Sequence, residues 1–482
     1  MYTDFDLMPL AGKWRHGSST TVLNDTDPYR GDLLLEIPQA TVEDVDAAYT
    51  AAREAQPGWA STPASERSAI FLRAAEIIDA RQEELVDWLT REAGTTRVRA
   101  LVEIGIVRAT TMAAVTHTSL GRETVASDVP GKENRVYRRP VGVVAVISPW
   151  NFPMHLSYRT VAPALAVGNT VVLKPAEDTP VTGGLLIAKI LEEAGLPAGV
   201  LSVLVGPGSE IGDAIIEHPI PRVISFTGST GVGQGITRKA GVKRLALELG
   251  GNGPFVVLDD ADLDRAVEAA VFSSYWHQGQ ICMATNRVIV DAGIHDEFVE
   301  RFVAAAGALV TGDPRQATTQ IGPIINHKQL LSVRNKVARS VAAGARLLLS
   351  GEPHGPTGRV LPPHVLLGTN DVATAAEEVF GPVATIIKAD GEQDALRIAN
   401  DTTYGLSSAV FTEDVERGIA FALRVEAGMT HVNDTTVHDD VHVAFGGEKQ
   451  SGLGRFGGDW VLDDLTTQHW ISVQHVRRNL PY

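Results

Sequence analysis

The sequence holds 482 residues, 44% hydrophobic and 21% charged, with a formal net charge of −16 and a single cysteine. Its length suggests about three domains; the acidic balance argues against nucleic acid and anionic membranes as partners, and one cysteine excludes an internal disulfide framework. The opening "MYTDFDLMPLAGKW" has acids where a signal peptide has bases, and no run approaches the roughly 20 apolar residues of a membrane span, so a cytoplasmic protein is expected.

Residues 42–118 read as helical, because "VEDVDAAYTAAREAQPGWA" and "RSAIFLRAAEIIDARQEELVDWLTREAG" space their apolar residues by three and four. Residues 122–139 flank a Pro-Gly turn and read as an exposed hairpin. From 141 onward short Val/Ile/Leu-rich runs, "VGVVAVI", "NTVVLK", "VLSVLVG", "RVISFTG" and "KRLALELGG", alternate with helical stretches. Continuous apolar strands separated by helices indicate a parallel sheet covered on both faces, an α/β nucleotide-binding type of architecture. A second strand–helix set begins at "GPFVVLDD" and ends near "AFGGEKQSGLG"; the tail "TTQHWISVQ" alternates like an edge strand.

Several stretches carry chemistry. Gly206, Gly208 and Gly212 miss the dinucleotide fingerprint by one residue and read as a turn and helix start. In "SFTGSTGVGQ", residues 225–234, a strand runs into Gly228 and Ser229 and a helix follows, so free N–H groups can face a phosphate; an ordinary strand-to-helix turn has the same text. Glu248 ends an apolar strand, where a carboxylate is either functional, with a raised pKa suited to a general base, or turned to solvent. Cys282 is a small buried hydrophobe or a nucleophile. His438 and His442, beside Asp439 and Asp440, lack an evident helix and third ligand, so no metal is expected.

In chain order the sequence shows "SPWNFP" (148–153), "VVLKPAE" (171–177), "FTGSTGVG" (226–233), "LELGG" (247–251), "GQICMATNR" (279–287), "EEVFGPV" (377–383) and "AFGGEKQSGLGR" (444–455). This run resembles the NAD(P)-dependent aldehyde dehydrogenase superfamily over nearly the whole chain. The texts "PGKENRVYR", "HQGQICMATNRVIVD" and "NDTTVHDDVHVAFGG" look most like its benzaldehyde, vanillin and salicylaldehyde dehydrogenases.

The resemblance implies a doubly wound NAD domain (1–121 and 140–250), an α/β catalytic domain (251–457) and a small β oligomerisation flap (122–139 and 458–482). It implies Cys282 as nucleophile, Asn151 with the Cys282 N–H as oxyanion donors, and Glu248 as the base for thioester hydrolysis. For the cofactor, Lys174 and Glu177 match adenosine-ribose contacts, Gly228 and Ser229 the pyrophosphate turn, and Trp150, Glu378 and Phe380 the nicotinamide side. NAD is expected over NADP, because Glu177 would repel a 2′-phosphate that Lys174 only partly offsets. Family members are homodimers or homotetramers.

The substrate pocket is expected around Phe152, Arg159, Ile281, Met283 and Phe445. Ala444, Asn252, Arg159 and Thr160 depart from residues common in the family, and none belongs to the catalytic set. Arg159 is expected to meet a ring hydroxyl or phenolate in the tunnel, or to pair with Asp439 or Asp440. The expected reaction is oxidation of an aromatic aldehyde; the alternatives are a semialdehyde or aliphatic substrate, a CoA-acylating relative, which Glu248 disfavours, and a catalytically silent member.

Overall fold

The computed structural model describes residues 1–480. Two small antiparallel pairs open the chain, Met8–Leu10 with Lys13–Arg15 and Val22–Thr26 with Leu33–Pro38. Four helices follow, Val42–Ser61, Ala64–Ala80, Gln82–Glu92 and Arg97–His117, as the three- and four-residue spacing requires. The first begins at a capping box in which Thr41 and Asp44 each satisfy the other's backbone N–H.

The strands read from the apolar runs assemble into one sheet. Its spatial order is Gly452–Leu453, Arg244–Glu248, Val223–Thr227, Val143–Ile147, Thr170–Lys174, Leu201–Val203. The five long members are parallel, and Gly452–Leu453 returns antiparallel at the edge. Successive strands run outward from Val143–Ile147 in one direction, then resume on its other side with Val223–Thr227. This reversal opens a crevice beyond the carboxyl ends of those two strands, where open α/β sheets bind their ligands.

A second sheet has seven strands in the order Arg346–Leu349, His364–Leu367, Val383–Ala389, Thr285–Asp291, Gly253–Val257, Ser407–Phe411, Met429–Val432, all parallel except the first. Period-2 alternation splits its side chains between two cores: Val256 and Ile289 enter one, Phe255, Val257, Val288 and Val290 the other.

The expected hairpin pairs Arg122–Val125 with Lys132–Pro140, and Thr466–Gln474 adds to Lys132–Pro140 in antiparallel register as the edge strand. A fourth apolar cluster, containing Phe152, Leu156, Ile281, Met283, Phe445 and Phe456, lies where segments of both large sheets meet. That junction holds the candidate site.

Candidate active site

Cys282 follows a backbone of unusual shape. Helix Leu263–Tyr275 ends, and His277 (φ 50, ψ 41), Gln278 (φ 58, ψ 23) and Gly279 (φ 65) then run left-handed in succession. Such a conformation costs a non-glycine residue about 1–2 kcal/mol. Side-chain bonds hold it: Gln278 Nε2 donates to the Pro323 carbonyl at 3.0 Å, and Gln280 Oε1 accepts from the Ile325 N–H at 3.1 Å. Glycine is required at 279, where a Cβ would lie 2.2 Å from the Gly381 carbonyl oxygen. It is required again at 251, where a Cβ would lie 2.0 Å from the carbonyl oxygen of Cys282. The second glycine of "LELGG" therefore lets the Glu248 strand end against the Cys282 loop.

Two cavities meet at Cys282. One, of about 710 Å³, is lined by Trp150, Asn151, Gly228, Ser229, Glu248, Glu378 and Phe380, among others. The other, of about 1030 Å³, is lined by Phe152, Phe272, Trp276, Ile281, Met283, Val437 and Phe445, with Val98, Val102 and Ile106 from helix Arg97–His117. Cys282, Asn151 and Leu156 belong to both walls. Burial pushes the Cys282 thiol well above its ordinary pKa, and the carboxylates of Glu248 and Glu378 push the same way against the Arg159 charge. The resting group is a thiol, and it needs a base to become nucleophilic.

Glu248 is fully buried at the end of its strand. Its Oε2 accepts a hydrogen bond from Arg159 Nη2 at 2.8 Å, while Oε1 has no partner among the described residues. The same Arg159 nitrogen donates to Thr227 Oγ1 at 2.8 Å, and the guanidinium lies 4.2 Å from the Phe456 ring centroid. This corrects two expectations. Arg159 is absent from the wall of the 1030 Å³ cavity and fronts Glu248 from behind Phe445. Its acid is Glu248, and Asp439 is taken instead by His155, 2.8 Å from Nε2. Two helical turns separate Asn151 from Arg159, and spacing alone did not reveal that this helix face looks onto strands Val223–Thr227 and Arg244–Glu248.

Asn151 is buried, and its Nδ2 donates to the Gln280 carbonyl at 2.9 Å, which ties it to the Cys282 loop. Its own carbonyl accepts from Arg99, which pairs with Glu103 one turn along helix Arg97–His117. Glu103 Oε1 accepts the His155 N–H at 3.0 Å, and the Arg99 guanidinium sits 3.7 Å from the Phe152 ring centroid. Arg99 and Glu103 thus clamp the "WNFP" turn from both sides. Sequence reading missed this pair. Its only trace was an opposite-charge i,i+4 pair inside the apolar text "RVRALVEIGIV".

Gly228 and Ser229 sit between strand Val223–Thr227 and helix Thr230–Lys239, with Ser229 at the N-cap and no side-chain cap bond. Trp150 and Phe380 meet edge-to-face at 5.3 Å, with Phe380 in the left-handed region. Glu378 Oε1 accepts the Gly251 N–H at 3.0 Å. Burial raises Glu378 to about 7; the Gly251 bond opposes this and the Glu248 charge adds to it. Lys174 and Glu177 lie outside the 710 Å³ cavity. Lys174 is buried, which lowers its pKa, and Glu177 is exposed and accepts the Gly208 N–H at 2.7 Å where helix Gly208–Glu217 begins. His438 and Asp439 line the larger cavity, whereas His442 lines a surface depression with Trp460 and Asp459.

Comparison with known proteins agrees with this geometry. The sequence profile of the aldehyde dehydrogenase family matches residues 14–471. A vanillin dehydrogenase of Corynebacterium glutamicum is 50% identical over 471 residues, covering 96% of this chain and 97% of that protein. A benzaldehyde dehydrogenase of Bacillus subtilis is 47% identical, covering 100% and 99%. Among solved structures, an NAD-dependent benzaldehyde dehydrogenase from Corynebacterium glutamicum superposes with a TM-score of 0.91 at 46% identity, covering 100% of this chain and 99% of that one.

Proposed function

The chain belongs to the aldehyde dehydrogenase family, and on that premise we propose that it oxidises aromatic aldehydes of the benzaldehyde and vanillin type to their carboxylates with NAD. The observation that carries the reading is the position of Cys282 between a polar crevice at the sheet switch point and an aromatic-walled cavity. Phe152, Phe272, Trp276 and Phe445 offer ring faces and edges to an aromatic substrate. The names of the 50% and 47% identical relatives support the same substrate class.

The residues present fit a dinucleotide. The crevice combines a helix N-terminus whose cap position makes no side-chain bond with an aromatic pair and buried carboxylate beside it. Gly228 and Ser229 would hold the pyrophosphate, Glu378, Phe380 and Trp150 the nicotinamide side, and Lys174 and Glu177 the adenosine ribose. Bound there, oxidised nicotinamide supplies the hydride acceptor.

Cys282 attacks the aldehyde carbon after losing its proton. The base is Glu248, whose free Oε1 belongs to a residue on the same cavity wall as the thiol. The oxygen that becomes negative is met by the second Asn151 Nδ2 hydrogen and the Cys282 N–H. Once the carbon has become a thioester on Cys282 and Glu248 has released the thiol's proton to solvent, Glu248 takes a proton from the water that cleaves the thioester. Retention of Glu248 supports water over CoA as the acceptor. A thiol that must stay reduced fits the cytoplasm, and the β flap around Trp470 supports a homodimer or homotetramer.

The test is NADH formation from benzaldehyde and vanillin without CoA, run beside NADP and a straight-chain aldehyde. We expect turnover with NAD, a lower kcat/KM with NADP, and none with Cys282→Ala, which leaves no thiol in the chain. Faster oxidation of the straight-chain aldehyde than of either ring would overturn the substrate class; substantial turnover by Cys282→Ala would overturn the mechanism.

A further inference from the structure

The segment "VHDDVHV", residues 437–443, has no part in the bond-making steps above. Yet Val437, His438 and Asp439 line the large cavity that opens on Cys282. Beyond Asn151 and Cys282 at its inner end, the polar side chains on that wall are His155, His438 and Asp439. The rest is aliphatic or aromatic, apart from the Met283 thioether and the Trp276 indole N–H.

Asp439 is held in place. Its Oδ2 lies 2.8 Å from His155 Nε2, and the His155 side chain is only 5% exposed. The His155 backbone is fixed by the Glu103 carboxylate. The second Asp439 oxygen has no hydrogen-bond partner among the described residues, and the side chain keeps 15% exposure. Burial works to raise the Asp439 pKa, but the His155 hydrogen bond and the charges of His155, Arg159 and His438 outweigh it and keep the carboxyl below its usual range. Asp439 is therefore an ionised acceptor that donates nothing.

A ring that fills this cavity displaces water from the Asp439 side of its wall. A ring hydroxyl replaces the lost hydrogen bond, a ring without a donor leaves the charge unpaired, and an anionic ring adds repulsion. We propose that Asp439, oriented by His155, accepts a hydrogen bond from a hydroxyl on the substrate ring, so that neutral hydroxylated benzaldehydes are favoured and anionic aldehydes disfavoured. The inference rests on the aromatic-aldehyde reading and adds to it the position and sign of the ring-recognising group.

The test compares kcat/KM for benzaldehyde, meta- and para-hydroxybenzaldehyde, their methoxy counterparts, para-carboxybenzaldehyde and hexanal, at a pH where the phenol stays protonated. The unmodified protein should prefer each hydroxy ring to its methoxy counterpart and rank the carboxylate last among the rings. In Asp439→Asn, an amide bound through its oxygen to His155 turns N–H groups toward the ring. The hydroxy-to-methoxy ratio should fall about 10-fold or more, the loss of one hydrogen bond to a charged group. The carboxy-to-benzaldehyde ratio should rise. An unmodified protein that prefers the methoxy or carboxylate rings sinks the proposal without any variant, and so does an unchanged ratio in Asp439→Asn. Hexanal outrunning every ring would instead remove the aromatic reading, while the hydroxy-to-methoxy ratio stays separately readable.

Discussion

Arg159 and Glu248 form an ion pair in which neither side chain exceeds 5% exposure. Breaking such a pair from one side costs about 3–5 kcal/mol, because the remaining charge stays buried and unpaired. In Arg159→Leu the Glu248 carboxyl stays buried and loses the side-chain bond that orients it. We expect a lowered Tm in thermal unfolding and a lowered kcat in steady-state NADH formation. Hydroxylated and plain benzaldehydes should lose equally; a selective loss on hydroxylated rings would restore Arg159 to the substrate wall. Fixed motifs singled out Cys282, Glu248 and Asn151 in the sequence, and the structure places all three on the wall of one cavity. The partners of those residues were not legible in the sequence. Arg159, Arg99 and Glu103 meet the site through long-range packing, and the text around each of them reads as ordinary helix.

At the scale of elements, helix Arg97–His117 is bound to the turn that precedes helix Pro153–Ala166 by charge as well as packing. Arg99 and Glu103 are both fully buried, and each has a second bond there, Arg99 to the Asn151 carbonyl in the turn and Glu103 to the His155 N–H in the first turn of the helix. Arg99→Met removes one charge and strands the other, so about 3–5 kcal/mol of stability should go with it. Arg99→Met/Glu103→Met strands neither and should regain stability relative to the single variant. Activity should not return, because Asn151 has lost the contact that fixes its backbone. Thermal unfolding set beside kcat separates the two effects; a double variant with restored kcat would reduce the clamp to simple packing. The parallel strands could be read because burial on both faces leaves continuous apolar runs. The N-terminal strands could not. Met8–Leu10 and Lys13–Arg15 are three residues each, and Val22–Thr26 alternates exposed and buried around polar residues, so no periodicity rises above a loop.

At the scale of the whole molecule, the site is assembled from segments far apart in the chain, and the flap projects surface that one copy does not cover. Strand Thr466–Gln474 leaves Trp470 64% exposed and Ile471 42% exposed, and Val125 on the opposite edge strand is 49% exposed. The ends of this small sheet are open strand edges, which attract pairing unless charge or cover blunts them. Residues 122–140 carry five Lys or Arg against three Asp or Glu, in a chain whose net charge is −16. This stretch of the flap is thus basic and partly apolar in a chain that is acidic overall. The Pro-Gly turn located the hairpin and alternation the C-terminal strand; neither could show that Lys132–Pro140 and Thr466–Gln474 join across more than 300 residues of chain. Trp470→Glu puts a charge in the middle of the exposed apolar strip, on a strand already held by a nine-residue register with Lys132–Pro140. The fold of one copy should survive, since the substituted side chain already faces out. The mass measured by light scattering should fall to that of a smaller species in Trp470→Glu. An unchanged mass would move the contact between copies away from this strand.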